Sequence, residues 1–198
     1  MHQETLSTYN KGAAYYAKKY DEFGRRIEDI ERGIALCGIE KPFVVELGCG
    51  SGRDAKEIVH RAGKYVGVDY SEAMIHLARE WVPGATFVLS DMTQFDLPKD
   101  VDVFFCFASL LHLSREEIAE LLDRMHAVMS SKGVVYLSLK EGDYQRVLRE
   151  DECGVREFFL YRETDLDQFL PDRWEKVYLN RYVLAGAQWL TIALKKIH

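Results

Sequence analysis

The residues with the clearest chemical potential form the segment Glu46-Leu47-Gly48-Cys49-Gly50-Ser51-Gly52, and Asp69 follows about 20 residues after the first glycine. Alternate glycines let the backbone turn tightly and lie close to a ligand. A helix that starts behind such a turn presents free N–H groups to that ligand. An acid about 20 residues further on can hold ribose hydroxyls. This pattern predicts a site for a cofactor that contains a nucleoside.

Two registers of the glycine motif are open. The dinucleotide fingerprint G-x-G-x-x-G/A is matched only from Gly50 to Ala55, two residues late relative to the apparent strand end. That register indicates an NAD(P)-binding oxidoreductase and leaves Glu46 unexplained. A carboxylate beside the glycine turn is better suited to a ligand that carries an ammonium group. Purely structural roles are the alternatives. The glycines could form a tight turn without a ligand, and Asp69 could be an acid that caps the next helix.

Elements that can position these residues alternate along the chain. Short apolar runs end in the glycine motif and in Asp69, and an S-x-x-E capping box at 114–117 begins a helix. The order β-α-β-α-β-(loop)-β-α-β predicts a doubly wound parallel sheet. Strands are predicted at 43–47, 65–69, 86–89, 101–107 and 134–139.

The two ends of the chain follow other patterns. Tyr16, Tyr20, Phe23, Ile27, Ile30 and Ile34 share one helix face, with Gly24 as a break. Residues 141–163 are polar and are predicted to have irregular secondary structure. A short helix at 164–170 is expected to end at Pro171. Strands at 176–184 and 189–195, joined by a short link, must be antiparallel. We therefore expect an N-terminal helical lid at 1–40 and a cofactor-binding domain at 41–198, with an acceptor-side insertion at 141–163.

With these motifs the chain resembles the class I S-adenosylmethionine-dependent methyltransferases. The resemblance is carried by residues 45–52, 66–71, Asp91-Met92, the strand that ends at Phe107 and the closing hairpin. It implies a three-layer α/β Rossmann-like fold, with a mostly parallel seven-stranded sheet closed by a C-terminal antiparallel hairpin. It also implies methyl transfer from S-adenosylmethionine, with S-adenosylhomocysteine as the product.

The resemblance further implies individual roles around the cofactor. Glu46 would lie near the methionine amino group, the backbones of Gly48 and Gly50 would line the ligand, and Asp69 would bind the ribose hydroxyls. Met74 or Tyr70 would pack on adenine, although a methionine is as often a plain core residue. Glu46, Gly48 and Gly50 belong to the glycine corner, and Asp69 ends the second predicted strand.

Further positions follow from the same resemblance. Asp91 would accept from the adenine amino group, with the Met92 backbone beside it, unless Asp91 is only a loop carboxylate. Phe107 would flank the methionine portion. Tyr20, or alternatively Tyr16, would lie near the methionine carboxylate, with Arg53 as an equal candidate.

His112, in the loop after the fourth strand, is the candidate general base, because histidine titrates near neutrality. The alternative is a buried histidine with satisfied nitrogens. Four arginines of the insertion either hold an anionic acceptor or form a solvated face; they are Arg146, Arg149, Arg156 and Arg162. The loop lacks the Asn/Asp-Pro-Pro-aromatic and Pro-Cys signatures of base methylation, so we expect a small-molecule acceptor.

Composition and net charge limit the classes of protein to which this chain can belong. The chain has 198 residues, 47% of them hydrophobic, and a net charge of −6, which argues against disorder and weakens the case for nucleic acid. None of the four cysteines forms a C-x-x-C pair, so no metal site is predicted. No signal peptide or membrane span is recognisable, and a cytoplasmic monomer or homodimer is expected. A non-catalytic S-adenosylmethionine-binding protein remains as a third class of function.

Overall fold

Seven strands form one sheet in the order β3-β2-β1-β4-β5-β9-β8 in the computed structural model, which describes residues 3–170 and 172–197. The first five strands are parallel, while β9 is antiparallel to β5 and β8 is antiparallel to β9. The sheet strands are β1 (Phe43–Leu47), β2 (Lys64–Asp69), β3 (Thr86–Leu89), β4 (Val101–Phe107), β5 (Met129–Lys140), β8 (Trp174–Leu184) and β9 (Ala187–Lys196). The predicted topology, including the closing hairpin, is confirmed.

Helices cover both faces of this sheet and complete three layers. Alternate residues of the strands point to opposite faces, so Val44 and Val45 belong to different apolar clusters. Helices α3, α4 and α5 bury one face, and α6 buries the other. The helices are α1 (Gln3–Lys11), α2 (Ala13–Asp21), α3 (Ile27–Cys37), α4 (Ala55–Arg61), α5 (Glu72–Trp81), α6 (Arg115–Val128) and α7 (Glu163–Phe169).

Local sequence signals set where helices α5 and α6 begin. Ser71 caps α5, where its hydroxyl oxygen accepts from the Met74 N–H at 3.2 Å. Ser114 and Glu117 form the reciprocal capping box at the start of α6. Both helices therefore begin just beyond the carboxyl end of a parallel strand, which is where ligands bind in open α/β sheets.

The segment at 141–163 is not irregular as predicted. Most of it forms a second, two-stranded antiparallel sheet of β6 (Gln145–Asp151) and β7 (Gly154–Leu160). Its strands are rich in charged residues, so they lack the apolar alternation on which a strand prediction depends. Long-range contacts stabilise it instead: the Thr8 hydroxyl donates to the Val155 carbonyl at 2.7 Å, and the Glu157 N–H donates to Thr5 Oγ1 at 2.9 Å.

The N-terminal helices divide at the expected point. Helix α2 ends before Gly24, whose φ of +74° suits glycine, and α3 begins at Ile27. Helix α1 packs against β7 and α5, whereas α3 packs against β4 and β5 of the main sheet. The domain boundary at residue 40 stays a prediction, and Pro171, the predicted end of α7, lies outside the described residues. None of the described helices has the length and apolarity that crossing a bilayer requires.

Candidate active site

A cavity of about 260 Å³ opens along the carboxyl edge of the parallel strands. Its walls follow the strand order: the ends of β2 and β1, the segment after β4, the end of β5 and the start of β9. Helices α1 and α2 and the β6–β7 hairpin add residues from outside the main sheet. The topological switch of the sheet, between β1 and β4, therefore lies in the middle of this cavity.

The glycine corner follows β1 and forms the floor of one half of the cavity. Gly48 and Gly50 have φ values of +79° and +53°, which residues with a side chain rarely adopt. A Cβ on Gly48 would collide with the Cβ of Ser109, whereas a Cβ on Gly50 would meet no atom within 4 Å. The bare face of Gly50 is therefore open space, and Gly50 lines the cavity, so a ligand can occupy this space.

Asp69 ends β2 and holds this corner in place. Its Oδ2 accepts from the Gly50 N–H at 2.9 Å, and its Oδ1 accepts from the Ser71 N–H at 2.8 Å. Burial raises the pKa of its carboxyl, against the opposing effect of these backbone donors. A carboxylate has about four lone-pair positions, so Asp69 can still accept from two hydroxyl groups in the cavity.

Glu46 lies within β1 and is 2% exposed. The Tyr65 hydroxyl donates to its Oε2 at 2.6 Å. Burial, reinforced by the negative charge of Asp54, raises the pKa of the Glu46 carboxyl to about 8. Within the described residues no cation forms an ion pair with this carboxyl, and an ammonium group in the cavity would supply one.

Arg53 lies at the mouth of the glycine corner. Its guanidinium donates to Asp54 Oδ2 at 2.5 Å and to the Tyr20 carbonyl at 3.0 Å. Asp54 is buried and also accepts from the Arg26 N–H at 3.0 Å. These contacts connect α2 and α3 to the corner. Tyr20 lines the cavity with Arg53, whereas Tyr16 does not line it and donates to Asp151.

Four further predicted positions surround the cavity beside Asp69, and one lies outside it. Tyr70, Met74 and Met92 line the cavity, and Phe107 lines it with the Arg26 guanidinium 5.1 Å above its ring. Asp91 does not line the cavity. Its Oδ1 accepts from the Thr93 N–H and hydroxyl at 2.9 and 2.8 Å, so the carboxylate helps to shape the turn after β3.

His112 lies in the cavity wall with both ring nitrogens engaged. Nδ1 is 2.5 Å from the Glu157 carbonyl oxygen, which can only accept, so Nδ1 carries the hydrogen. Nε2 then accepts from the Tyr9 hydroxyl at 3.1 Å. Burial lowers the pKa of the imidazole to about 4. His112 is therefore neutral near pH 7 and connects α1 to the β6–β7 hairpin.

The four arginines of the hairpin region separate into two pairs. Arg146 forms an ion pair with Glu157, and Arg162 forms one with Asp143, so these two act at the surface of the hairpin. Arg149 and Arg156 line the cavity. Arg156 also pairs with Asp151 at 2.8 Å and donates to the Tyr20 hydroxyl at 2.9 Å.

Several cavity residues were not among the predicted site residues. Lys140 ends β5, and the rule that parallel strands end at the site could have identified it. Trp189 pairs with Lys140 across β5 and β9, a register that no local signal reveals. Ser109 follows Ala108, which has a φ of +53°, an uncommon conformation for alanine. Arg26 lies just before α3 and belongs to no recognisable sequence motif.

Comparisons with known proteins agree with this geometry. A family model described as a methyltransferase domain matches residues 44–133. A trans-aconitate 2-methyltransferase of Variovorax paradoxus is 33% identical over 132 residues, which cover 65% of this chain and 49% of the relative. A second, from Rhizobium rhizogenes, is 30% identical over 131 residues, with 65% and 50% covered. The chain thus spans about half the length of these relatives.

Solved structures show the same fold. A Burkholderia thailandensis 1,6-didemethyltoxoflavin-N1-methyltransferase, with that compound and S-adenosylhomocysteine bound, has a TM-score of 0.74 and 20% identity. The match covers 98% of this chain and 88% of that one. An S-adenosylmethionine-bound amino pentose methyltransferase from Micromonospora echinaspora has a TM-score of 0.69, 20% identity, and coverage of 92% and 97%. In its fold, its glycine corner and the methyltransferase-domain match at residues 44–133, the chain is similar to the class I S-adenosylmethionine-dependent methyltransferases.

Proposed function

We propose that this chain transfers a methyl group from S-adenosylmethionine to a small-molecule acceptor. The observation that carries the proposal is the convergence of buried Glu46, Asp69 and the bare face of Gly50 on one cavity. These groups complement an ammonium, a pair of ribose hydroxyls and a closely approaching ligand backbone, respectively. S-adenosylmethionine carries all three features and, when bound, supplies an electrophilic methyl group on a sulfonium sulfur.

The residues of the chain then bind the cofactor and orient it. We assign Glu46 to the amino group, Asp69 to the ribose, and the Gly48 and Gly50 backbones to the surface beneath the ligand. Tyr70, Met74 and Met92 form the adenine side, and Tyr20, Arg53 and Phe107 the methionine side. Asp91 has no direct role in this scheme, because it does not line the cavity.

Two other functions make different demands on the same cavity. An NAD(P)-binding oxidoreductase would place a pyrophosphate at the glycine corner, close to the buried acids Glu46 and Asp54. A non-catalytic S-adenosylmethionine-binding protein would need only the glycine half. The cavity continues past β4 to Lys140 and Trp189, and that second half supports an enzyme with a second substrate.

The relatives are named for methylation of trans-aconitate, which supports an acceptor of metabolite size. The predicted cytoplasmic location, the monomeric or homodimeric state and the absence of nucleic acid stay predictions.

Calorimetric titration with S-adenosylhomocysteine, NAD and NADP tests the proposal directly. Of the three ligands, we expect only S-adenosylhomocysteine to bind. An Asp69→Asn variant should bind it at least tenfold more weakly than the wild type. Asp91→Asn serves as the matched control, since it is the same change outside the cavity. Binding of NAD but not S-adenosylhomocysteine would contradict the proposal.

A further inference from the structure

Lys140 ends β5 and lines the half of the cavity beyond β4. Its Nζ lies 3.8 Å from the centroid of the Phe158 ring and 5.8 Å from that of the Trp189 ring. Within the described part of the chain, Nζ has these ring contacts and no carboxylate partner. A ring face attracts a cation, but it offers neither a counter-charge nor a strong hydrogen-bond acceptor. The amine therefore keeps hydrogen-bonding capacity for a ligand.

Two guanidinium groups share this half with Lys140. Arg149 lines it from β6 and Arg156 lines it from β7. Burial, together with the charges of these two arginines, lowers the pKa of the Lys140 ammonium to about 8. At pH 8 about half of the molecules then carry a neutral Lys140 amine, and its nitrogen has a free lone pair.

Carboxylates do not offset this effect within the cavity. Among the described cavity residues that follow Phe107, none is an aspartate or a glutamate. Three acids on the adjoining segments have arginine partners of their own; the pairs are Glu141–Arg181, Glu157–Arg146 and Asp151–Arg156. The environment of Lys140 is therefore cationic, and it favours the neutral amine.

The other titratable groups of this half are poor proton acceptors. His112 Nε2 already accepts from the Tyr9 hydroxyl at 3.1 Å, and burial lowers the pKa of the imidazole to about 4. The pKa of the Tyr9 hydroxyl is raised, mainly by burial, so this hydroxyl keeps its proton. Arginine stays charged in proteins. A lysine whose pKa lies near the working pH is, by contrast, well matched to general base catalysis.

The same half favours one class of acceptor. The rings of Phe158 and Trp189 line it and can cover a flat aromatic molecule. Arg149 and Arg156 would stabilise the negative charge that an oxygen develops as it loses a proton, and they would oppose the positive charge that an attacking amine develops. A phenolic hydroxyl has a pKa of about 10, which is close enough to that of Lys140 for proton transfer.

We propose that Lys140 is the general base of the methyl transfer and that the acceptor is the hydroxyl group of an aromatic compound. The inference rests on the proposed function. The Nζ lone pair takes the hydroxyl proton while the oxygen attacks the methyl carbon. The new O–C bond forms as the S–C bond breaks, and the bonding pair stays on sulfur. The products are an aryl methyl ether, a neutral thioether and the Lys140 ammonium, which then releases its proton to water.

Three variants separate a base from a mere positive charge. Lys140→Arg keeps the charge but cannot give up its proton at any working pH. Lys140→Met keeps an unbranched side chain and has neither a charge nor a basic nitrogen. Lys132→Met, at the exposed far end of β5, is the matched control. The amine itself can be titrated without an acceptor, by acetylation of the wild type with trace acetic anhydride between pH 6 and pH 10 and mass spectrometry of the Lys140 peptide.

The activity assay follows transfer of isotope-labelled methyl groups from S-adenosylmethionine between pH 6 and pH 9. The hydroxylated aromatic acceptors are 4-methylphenol, 3,4-dihydroxybenzoate and 4-nitrophenol, and the comparison compounds are cyclohexanol, benzylamine and citrate. At pH 8.5 the 4-nitrophenol hydroxyl is already ionised, so its methylation needs no base. Products are exposed to mild alkali, which hydrolyses methyl esters and leaves aryl ethers intact.

We expect alkali-stable ethers from the hydroxylated aromatic acceptors and no labelled product from the comparison compounds. For 4-methylphenol, the wild-type kcat/KM should rise with pH and level off near pH 8, where acetylation of Lys140 should also have its midpoint. Lys140→Arg and Lys140→Met should lose at least about a hundredfold in kcat with 4-methylphenol and less than about tenfold with 4-nitrophenol at pH 8.5. Both should bind S-adenosylhomocysteine as the wild type does, and Lys132→Met should match the wild type throughout.

Four results would overturn the inference while leaving the proposed function intact. They are wild-type activity of Lys140→Arg with 4-methylphenol, an equal loss with both phenols, an acetylation midpoint of Lys140 near pH 10, and methylation of citrate or of none of the hydroxylated aromatic acceptors. Failure of the wild type to bind S-adenosylhomocysteine would instead remove the proposed function.

Discussion

The buried Glu46 carboxyl provides a stability prediction that needs no ligand. Its pKa rises from an ordinary 4.5 to about 8 in the folded chain, chiefly because of burial. Below pH 4.5 the group is protonated in both the folded and the unfolded chain. Between pH 4.5 and about 8 the unfolded chain releases this proton and the folded chain keeps it. The free energy of unfolding therefore falls by about 1.4 kcal/mol for each pH unit in this window.

Glu46→Gln removes this dependence, because glutamine does not ionise and can still accept from the Tyr65 hydroxyl. Relative to the wild type, the variant should gain about 3 kcal/mol in free energy of unfolding between pH 5 and pH 7, which is two units at about 1.4 kcal/mol each. Above pH 8 the relative gain should level off.

Urea unfolding of the ligand-free protein at half-unit steps from pH 5 to pH 8.5 measures the effect. Glu120→Gln, the same change at an exposed position of α6, should follow the wild type at every pH. If the difference between Glu46→Gln and the wild type stays constant across the range, Glu46 does not retain its proton in the folded chain, and the reasoning fails.

The other predictions concern the same cavity and are tested by calorimetric titration and by urea unfolding. With S-adenosylhomocysteine present, the ligand ammonium should ionise Glu46, so binding at pH 7 should release a proton, measured by calorimetry in buffers of different ionisation enthalpy. Gly48→Ala should destabilise the chain by roughly 2 kcal/mol or more in urea unfolding, because its Cβ would collide with Ser109 at a positive φ. Gly50→Ala should lose only about 1 kcal/mol but bind S-adenosylhomocysteine at least tenfold more weakly, since its Cβ enters open cavity space. Equal stability of the two alanine variants, or unchanged affinity of Gly50→Ala, would contradict the geometry of the corner.

Local order along the chain made the glycine half of the site predictable. A strand, a glycine turn and a helix are contiguous, and Asp69 ends the neighbouring strand, so their positions follow from the parallel topology. Capping residues such as Ser71 and Ser114 act on backbone groups three residues away, which sequence spacing reveals directly. Asp91 was the exception among the predicted positions. Its neighbour Met92 reaches the cavity, but the Thr93 N–H and hydroxyl hold the carboxylate in the turn.

The other half of the site depends on contacts between residues far apart in the chain. The charged strands β6 and β7 lack an apolar alternation, and they are placed by hydrogen bonds to Thr5 and Thr8, about 150 residues away. The state of His112 depends on Tyr9 and on the Glu157 carbonyl, which belong to two other elements.

The sequence by itself thus determined the main sheet, the glycine corner and a site for a nucleoside-containing cofactor, because each depends on neighbours in the chain or on the regular alternation of elements. Only the tertiary structure decided that both ring nitrogens of His112 are hydrogen-bonded, and that Lys140 and Trp189 line the cavity together. Burial and cross-strand register produce these properties, and both arise only when distant segments pack.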